Sequence, residues 1–76
     1  MDYNRVNATC NAFLEYCRSV DPDTTYITLI NPAEDIITLY AQISKPVLKR
    51  RESRYTVKEF CKNNFEDMRR SVNLKF

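Results

Sequence analysis

The chain has 76 residues, of which 43% are hydrophobic and 29% are charged. This composition predicts one small folded domain over residues 1–76, with a small core, because so short a chain buries only about 60–65% of its unfolded surface. The chain contains neither glycine nor histidine. These two absences exclude glycine-rich phosphate-binding loops, the usual general base near neutral pH and the commonest metal ligand.

Charge is unevenly distributed along the chain. Residues 1–44 carry two basic and six acidic side chains, a net charge of −4, whereas residues 45–76 carry ten basic and four acidic ones, a net charge of +6. The overall charge of +2 therefore hides a dipolar sequence. If the fold separates the two halves, one surface attracts an anionic partner while another repels it.

Hydropathy and the cysteines bear on location and on metal binding. No run of about 18 apolar residues is present, and the first residues lack the pattern of a signal peptide. We therefore expect a cytoplasmic protein without membrane contact, with a nuclear location as the alternative. Cys10, Cys17 and Cys61 lack CxxC spacing, so we expect reduced thiols that pack as small hydrophobes and neither a metal nor a cofactor.

Residues 3–20 predict an amphipathic helix. Apolar side chains recur there at alternating steps of three and four, with Leu14 widening the stripe: Tyr3, Val6, Cys10, Phe13, Cys17 and Val20. The sequence Asp21-Pro22-Asp23 predicts the end of this helix, because a residue that precedes proline is disfavoured in the α conformation.

Residues 24–43 predict two strands. Residues 24–30 are mostly β-branched or aromatic, residues 31–35 are typical of a turn, and apolar and polar side chains alternate over residues 37–43. A helix over residues 32–44 stays open as the alternative. Asn31, Pro32 and Glu34 would also make a good helix start.

The C-terminal half predicts a basic segment and then a helix. Residues 46–55 fit either a third strand at the sheet edge or a loop. Thr56 and Glu59 form a capping box, and the apolar pattern that follows predicts one continuous helix to about Leu74. Its apolar stripe contains Val57, Phe60, Cys61, Phe65, Met68 and Val72.

These elements predict a small α+β domain. An N-terminal helix, a two- or three-stranded antiparallel sheet and a C-terminal helix would form two layers around one core. If residues 32–44 were helical, the chain would instead be an all-α three-helix bundle.

The basic segment is the candidate binding site. Its members crowd into fourteen residues: Lys45, Lys49, Arg50, Arg51, Arg54, Tyr55 and Lys58. Such a cluster suits an acidic protein surface or a nucleic-acid backbone. The second helix interleaves its bases with acids, and the pI of about 8.5 is below that typical of nucleic-acid modules.

The sequence does not predict an enzyme. Pro22-Asp23 resembles the first half of the PD-(D/E)xK nuclease signature, but the nearest second half, Glu52-Ser53-Arg54, has arginine in place of lysine. No catalytic residue is therefore assigned.

We instead expect a small regulatory protein that binds a protein partner, as an inhibitor or adaptor does. Its charge pattern would steer docking, and apolar residues outside the best stripes would serve as anchors: Tyr16, Ile30, Ile36, Tyr40, Leu74 and Phe76. The alternative is a nucleic-acid-binding protein that uses residues 45–58. Pairing of an edge strand or of the first helix would also permit a homodimer.

Overall fold

The computed structural model describes residues 3–74. Helix α1 spans Tyr3–Val20, and strands β1, β2 and β3 span Thr25–Asn31, Ile36–Ile43 and Lys49–Thr56. Helices α2 and α3 span Val57–Lys62 and Phe65–Ser71. The three strands form one antiparallel sheet in the order β1-β2-β3. The predicted α+β fold is confirmed, the basic segment is mostly a strand, and the all-helical alternative is wrong.

The central strand β2 determines which face of the sheet is buried. Ile37, Leu39 and Ala41 are fully buried, whereas Thr38 and Tyr40, which lie between them, are only half-buried. Successive side chains of a strand point to opposite faces, so the three buried residues all face the same layer. The alternation that predicted this strand is the pattern that the structure shows.

Helices α1, α2 and α3 pack on that buried face. The core contains Val6, Cys10, Phe13 and Cys17 of α1 together with buried residues of the sheet and of α2 and α3. The ring of Phe13, fully buried, meets the ring of Phe60 edge-on at 5.5 Å and that of Phe65 at 5.3 Å. One aromatic side chain thus joins all three helices.

Helix α1 ends at Val20, as the Asp21-Pro22-Asp23 pattern predicted. The backbone N–H of Asp21 donates to the carbonyl of Cys17 at 2.8 Å, which closes the last turn. The buried Asp21 carboxylate then accepts hydrogen bonds from Thr24 Oγ1 at 2.7 Å and from Tyr26 Oη at 3.3 Å. These two bonds connect the end of α1 to the beginning of β1.

The turn between β1 and β2 is made without glycine. Asp35 adopts a φ of 58°, in the left-handed region that aspartate tolerates better than most residues. Its carbonyl accepts a hydrogen bond from the Val57 N–H at 3.0 Å, and its carboxylate accepts one from Tyr3 Oη at 3.2 Å. The turn is therefore attached to the beginnings of both α1 and α2.

The prediction of one continuous C-terminal helix is wrong. The chain leaves the helical conformation at Asn63 and Asn64, whose ψ angles are 154° and 132°. The Asn64 side chain then caps α3 by accepting from the N–H groups of Glu66 at 2.8 Å and Asp67 at 3.3 Å. Asparagine competes in this way with helix continuation, although the apolar periodicity runs through the break.

The structure confirms the predicted cap at Thr56 and corrects the predicted burial of Cys61. The Thr56 cap is confirmed, since Thr56 Oγ1 accepts from the Glu59 N–H at 3.1 Å. Cys61 is exposed and does not join the predicted stripe, because the six-residue α2 presents only Val57 and Phe60 to the core. Cys10 and Cys17 are buried as predicted.

A polar link joins α3 to α1. The Glu66 carboxylate accepts two hydrogen bonds from Arg69, both at 2.7 Å, and one from Tyr16 Oη at 2.6 Å. The bonds from Arg69 and then from Tyr16 lower the pKa of the Glu66 carboxyl to about 2. The ionised carboxylate is therefore part of the folded structure.

We expect Asn64→Ala to lower the free energy of unfolding by about 1 kcal/mol, because two N–H groups of α3 lose their acceptor. Asn63→Ala is the matched control. The Asn63 side chain forms no hydrogen bond within residues 3–74, so its removal should change stability by less than about 0.5 kcal/mol. Urea denaturation of both variants measures the difference. Equal losses would contradict the role of the Asn64 cap.

Glu66 should make stability depend on pH. Its pKa is depressed in the folded state, so its contribution is present above the ordinary value of 4.5 and is lost as pH falls toward about 2. We expect Glu66→Gln to flatten the decline in unfolding free energy over that range, measured by urea titrations at several pH values. Glu15→Gln, an exposed site without a hydrogen bond in the described chain, should retain the wild-type decline.

Candidate interaction site on the open sheet face

The sheet face that lies opposite the helices is uncovered within residues 3–74, and we call it the open sheet face. It includes the following outward residues of the three strands: Thr25, Ile27, Leu29, Ile36, Thr38, Tyr40, Gln42, Arg50, Glu52 and Arg54. Strand pairing brings residues from all three strands together here, although they are separated by up to about thirty positions in the chain.

Two aliphatic side chains of β1 are exposed on this face. Ile27 is 48% exposed and Leu29 is 55% exposed. In the β1–β2 register, Ile27 lies opposite Tyr40 and Leu29 lies opposite Thr38. An antiparallel sheet with one solvated face normally carries polar side chains on that face, so these two residues depart from the usual pattern. They line a shallow depression together with Tyr40 and Arg50.

A basic side chain completes this depression. The guanidinium carbon of Arg50 lies 4.5 Å from the centroid of the Tyr40 ring, which is cation–π geometry. Arg54 lies on the same face, opposite Thr38 of β2. Neither arginine forms an ion pair within residues 3–74, where both ion pairs involve Glu66. Glu52 is the one acidic residue of β3, and it lies between Arg50 and Arg54 on this face.

The pleat of β3 divides the predicted basic site between two faces. Arg50 and Arg54 belong to the open sheet face, whereas Lys49, Arg51 and Tyr55 alternate with them and face the helix side. Lys45 lies in the exposed loop before β3, and Lys58 is exposed on α2. Of the seven predicted residues, the register thus places two, Arg50 and Arg54, on the same sheet face as Tyr40.

The helix-side members of the predicted site have structural contacts. Arg51 Nη1 donates to the carbonyl of Asn73 at 2.8 Å. The Tyr55 ring packs edge-on against Phe60 at 6.2 Å, and its hydroxyl lies 2.8 Å from Ser71 Oγ. These contacts attach β3 to α2, to the end of α3 and to the segment that follows α3.

The residues predicted to anchor a partner also lie in different parts of the structure. Tyr40 and Ile36 lie half-buried on the open sheet face, whereas Leu74 is buried in the core and Ile30 packs against it. Tyr16 packs against Phe65 at 5.9 Å, and Phe76 lies outside the described residues. Sequence reasoning missed Ile27 and Leu29. Apolar residues occupy both faces of β1, so alternation gave no signal for which side would be exposed.

A second exposed apolar pair lies in the loop between β2 and β3. Val47 is 56% exposed and Leu48 is 69% exposed. Lys45 and Lys49 flank them in sequence. The loop therefore presents the same combination of aliphatic and basic groups as the open sheet face, but on a short connection instead of a paired strand.

The two thiols of α1, Cys10 and Cys17, are buried in the core. Burial raises the pKa of the Cys17 thiol to about 12 and also raises the pKa of Cys10. Both side chains are therefore protonated at neutral pH and pack as apolar groups. Within residues 3–74, no three His, Cys, Asp or Glu side chains group together as metal ligands, and no helix there is long and apolar enough to cross a bilayer.

Comparison of the chain with protein-family models, with curated proteins and with solved structures found no significant match. The fold and the exposed residues of the chain itself are therefore the basis for describing its class. It is a small α+β domain whose three-stranded sheet is covered by helices on one face and exposes aliphatic, aromatic and basic side chains on the other.

Proposed function

We propose that this chain is a non-enzymatic interaction protein that binds a protein partner through the open sheet face. The observation that carries the proposal is the exposure of Ile27 and Leu29 in register with Tyr40 and Thr38. Protein interfaces typically combine a central apolar cluster with tyrosine and arginine and a polar rim. Because these side chains project from paired strands, little backbone entropy is lost when they are covered.

Charge defines the chemistry of the partner. Arg50 and Arg54 present two positive charges on one face of β3, with Glu52 between them. A partner that places apolar groups over Ile27 and Leu29 and carboxylates beside the two arginines would satisfy both parts of the surface. Such complementarity accelerates encounter and fixes orientation, and its effect weakens as salt increases. We therefore propose an acidic protein surface as the partner.

Affinity capture from the native host with matched variants tests this proposal. We expect wild-type protein to retain one stoichiometric partner protein after nuclease treatment. Arg50→Glu combined with Arg54→Glu should weaken binding of that partner at least about tenfold, which corresponds to 1.4 kcal/mol. The control, Lys58→Glu combined with Lys62→Glu, makes the same change of charge at exposed sites of α2. It should bind as the wild type does.

Two results would contradict this proposal. One is capture of partners only when nucleic acid is intact. The other is an equal loss of binding in both double variants, because total charge and not the open sheet face would then account for it.

Nucleic-acid binding is the second candidate, and the Tyr40–Arg50 pair favours it. Sheet proteins that bind single strands stack bases on aromatic side chains of an exposed face and contact phosphates with flanking bases. Here Tyr40 is the one aromatic residue of the open sheet face, and Arg50 already occupies part of its ring. Stacking would thus be limited to a single platform, which is why a protein partner is the leading proposal.

We expect the purified protein to bind fluorescent single-stranded RNA and duplex DNA only weakly at physiological salt, and without sequence preference. Fluorescence anisotropy over a salt series measures this. Sub-micromolar binding with a steep salt slope, lost in Tyr40→Leu, would instead support the nucleic-acid candidate. Tyr40→Leu keeps an apolar side chain at this position and removes the aromatic ring together with its hydroxyl.

A further inference from the structure

The two edge strands of the sheet differ in how they are protected. β3 carries five charged side chains within eight residues: Lys49, Arg50, Arg51, Glu52 and Arg54. β1 has the sequence TYITLIN, which contains no charge and no proline. Sheet proteins usually protect an exposed edge with charges, proline or a bulge, because unpaired backbone groups promote pairing with another chain. β3 has such protection and β1 does not.

The outer edge of β1 is unpaired in the described chain. Within residues 3–74, β1 pairs with β2 alone over all seven of its residues, in a register without a bulge. From the described turns, caps and helices, no hydrogen bond reaches the backbone of this strand. One row of its N–H and C=O groups therefore faces outward along a regular strand.

We propose that two copies of this chain associate by antiparallel pairing of their β1 edges, which gives one continuous six-stranded sheet. The register that pairs the whole strand has its twofold axis at Thr28. Ile27 then lies opposite Leu29 of the second copy on the open sheet face, and Tyr26 lies opposite Ile30 of the second copy on the helix side. Each of these cross-strand pairs joins apolar side chains, which favours antiparallel pairing.

Charge selects a second copy as the occupant of this edge. An uncharged strand provides no side chain that would attract an acidic or basic foreign strand, whereas self-pairing brings no like charges together among the seven residues of each β1. Pairing of β3 with itself would oppose Lys49, Arg50, Arg51 and Arg54 to the same basic strand of another copy. Stacking of two open sheet faces would bring together two surfaces that each carry Arg50 and Arg54. Of these surfaces, the β1 edge is the one whose paired strand residues carry no charge.

The dimer has a geometric consequence for the open sheet face. The twofold axis of edge-to-edge pairing is perpendicular to the sheet, so both helix layers lie on one side and both open faces lie on the other. Ile27 and Leu29 of the two copies would form its centre, with one Tyr40–Arg50 pair on each flank. The dimer does not depend on the proposed partner, since it is measured on purified protein alone.

Light scattering coupled to size-exclusion chromatography tests the dimer over a dilution series of the full chain. We expect wild type to show twice the chain mass of 9.0 kDa at high concentration and to dissociate on dilution. Ile27→Lys combined with Leu29→Lys should be monomeric, because lysines would oppose lysines across the axis. Ile27→Lys combined with Leu29→Glu should remain dimeric at low salt, because opposite charges would face each other in the same register.

The two double variants are matched, since both remove the same pair of exposed aliphatic residues, and circular dichroism confirms that each is folded. Hydrogen exchange adds a local measurement. Amides of β1 should become protected as concentration rises, whereas exposed amides of β3 should not change. A wild-type monomer at every concentration, or the same mass for both double variants, would overturn the proposal.

Discussion

The packing of Phe13 against Phe60 and Phe65 is the contact on which the arrangement of this protein depends. It places α1, α2 and α3 in one layer on the same face of the sheet. A chain of 76 residues has no further helix with which to cover the opposite face within its described part. The helix layer and the open sheet face are therefore two results of one packing choice, and a small core makes that choice necessary.

Polar contacts secure the helix layer at its edges. Tyr16 and Arg69 hold the Glu66 carboxylate between α1 and α3, while Tyr3 and Val57 bond to the carboxylate and the carbonyl of Asp35. These links connect the ends of elements that are distant in sequence. They leave the outward side chains of the strands uninvolved, so substitutions on the open sheet face should affect folding little.

The sequence predicted the type of most helices and strands correctly, but it did not predict where the C-terminal helix breaks. Helix α1 and strand β2 were identified correctly because each buries one face. Apolar residues therefore recur about every 3.6 positions in the helix and about every 2 positions in the strand. The break at Asn63 and Asn64 was missed, since Val57, Phe60, Met68 and Val72 keep a helical spacing on both sides of it. A local asparagine cap ended the helix without disturbing that spacing.

The candidate site was only partly predictable. The sequence located the basic residues between positions 45 and 58, but it did not separate Arg50 and Arg54 from Lys49, Arg51 and Tyr55. The side on which each residue lies depends on the register with β2. The sequence also provided no reason to select Ile27 and Leu29, because β1 is apolar on both faces. The amino-acid sequence by itself determined helix α1 and its end, the cap at Thr56 and the amount of charge. Only the tertiary structure decided which face stays uncovered, because long-range strand pairing and one-sided helix packing determine which residues share a surface.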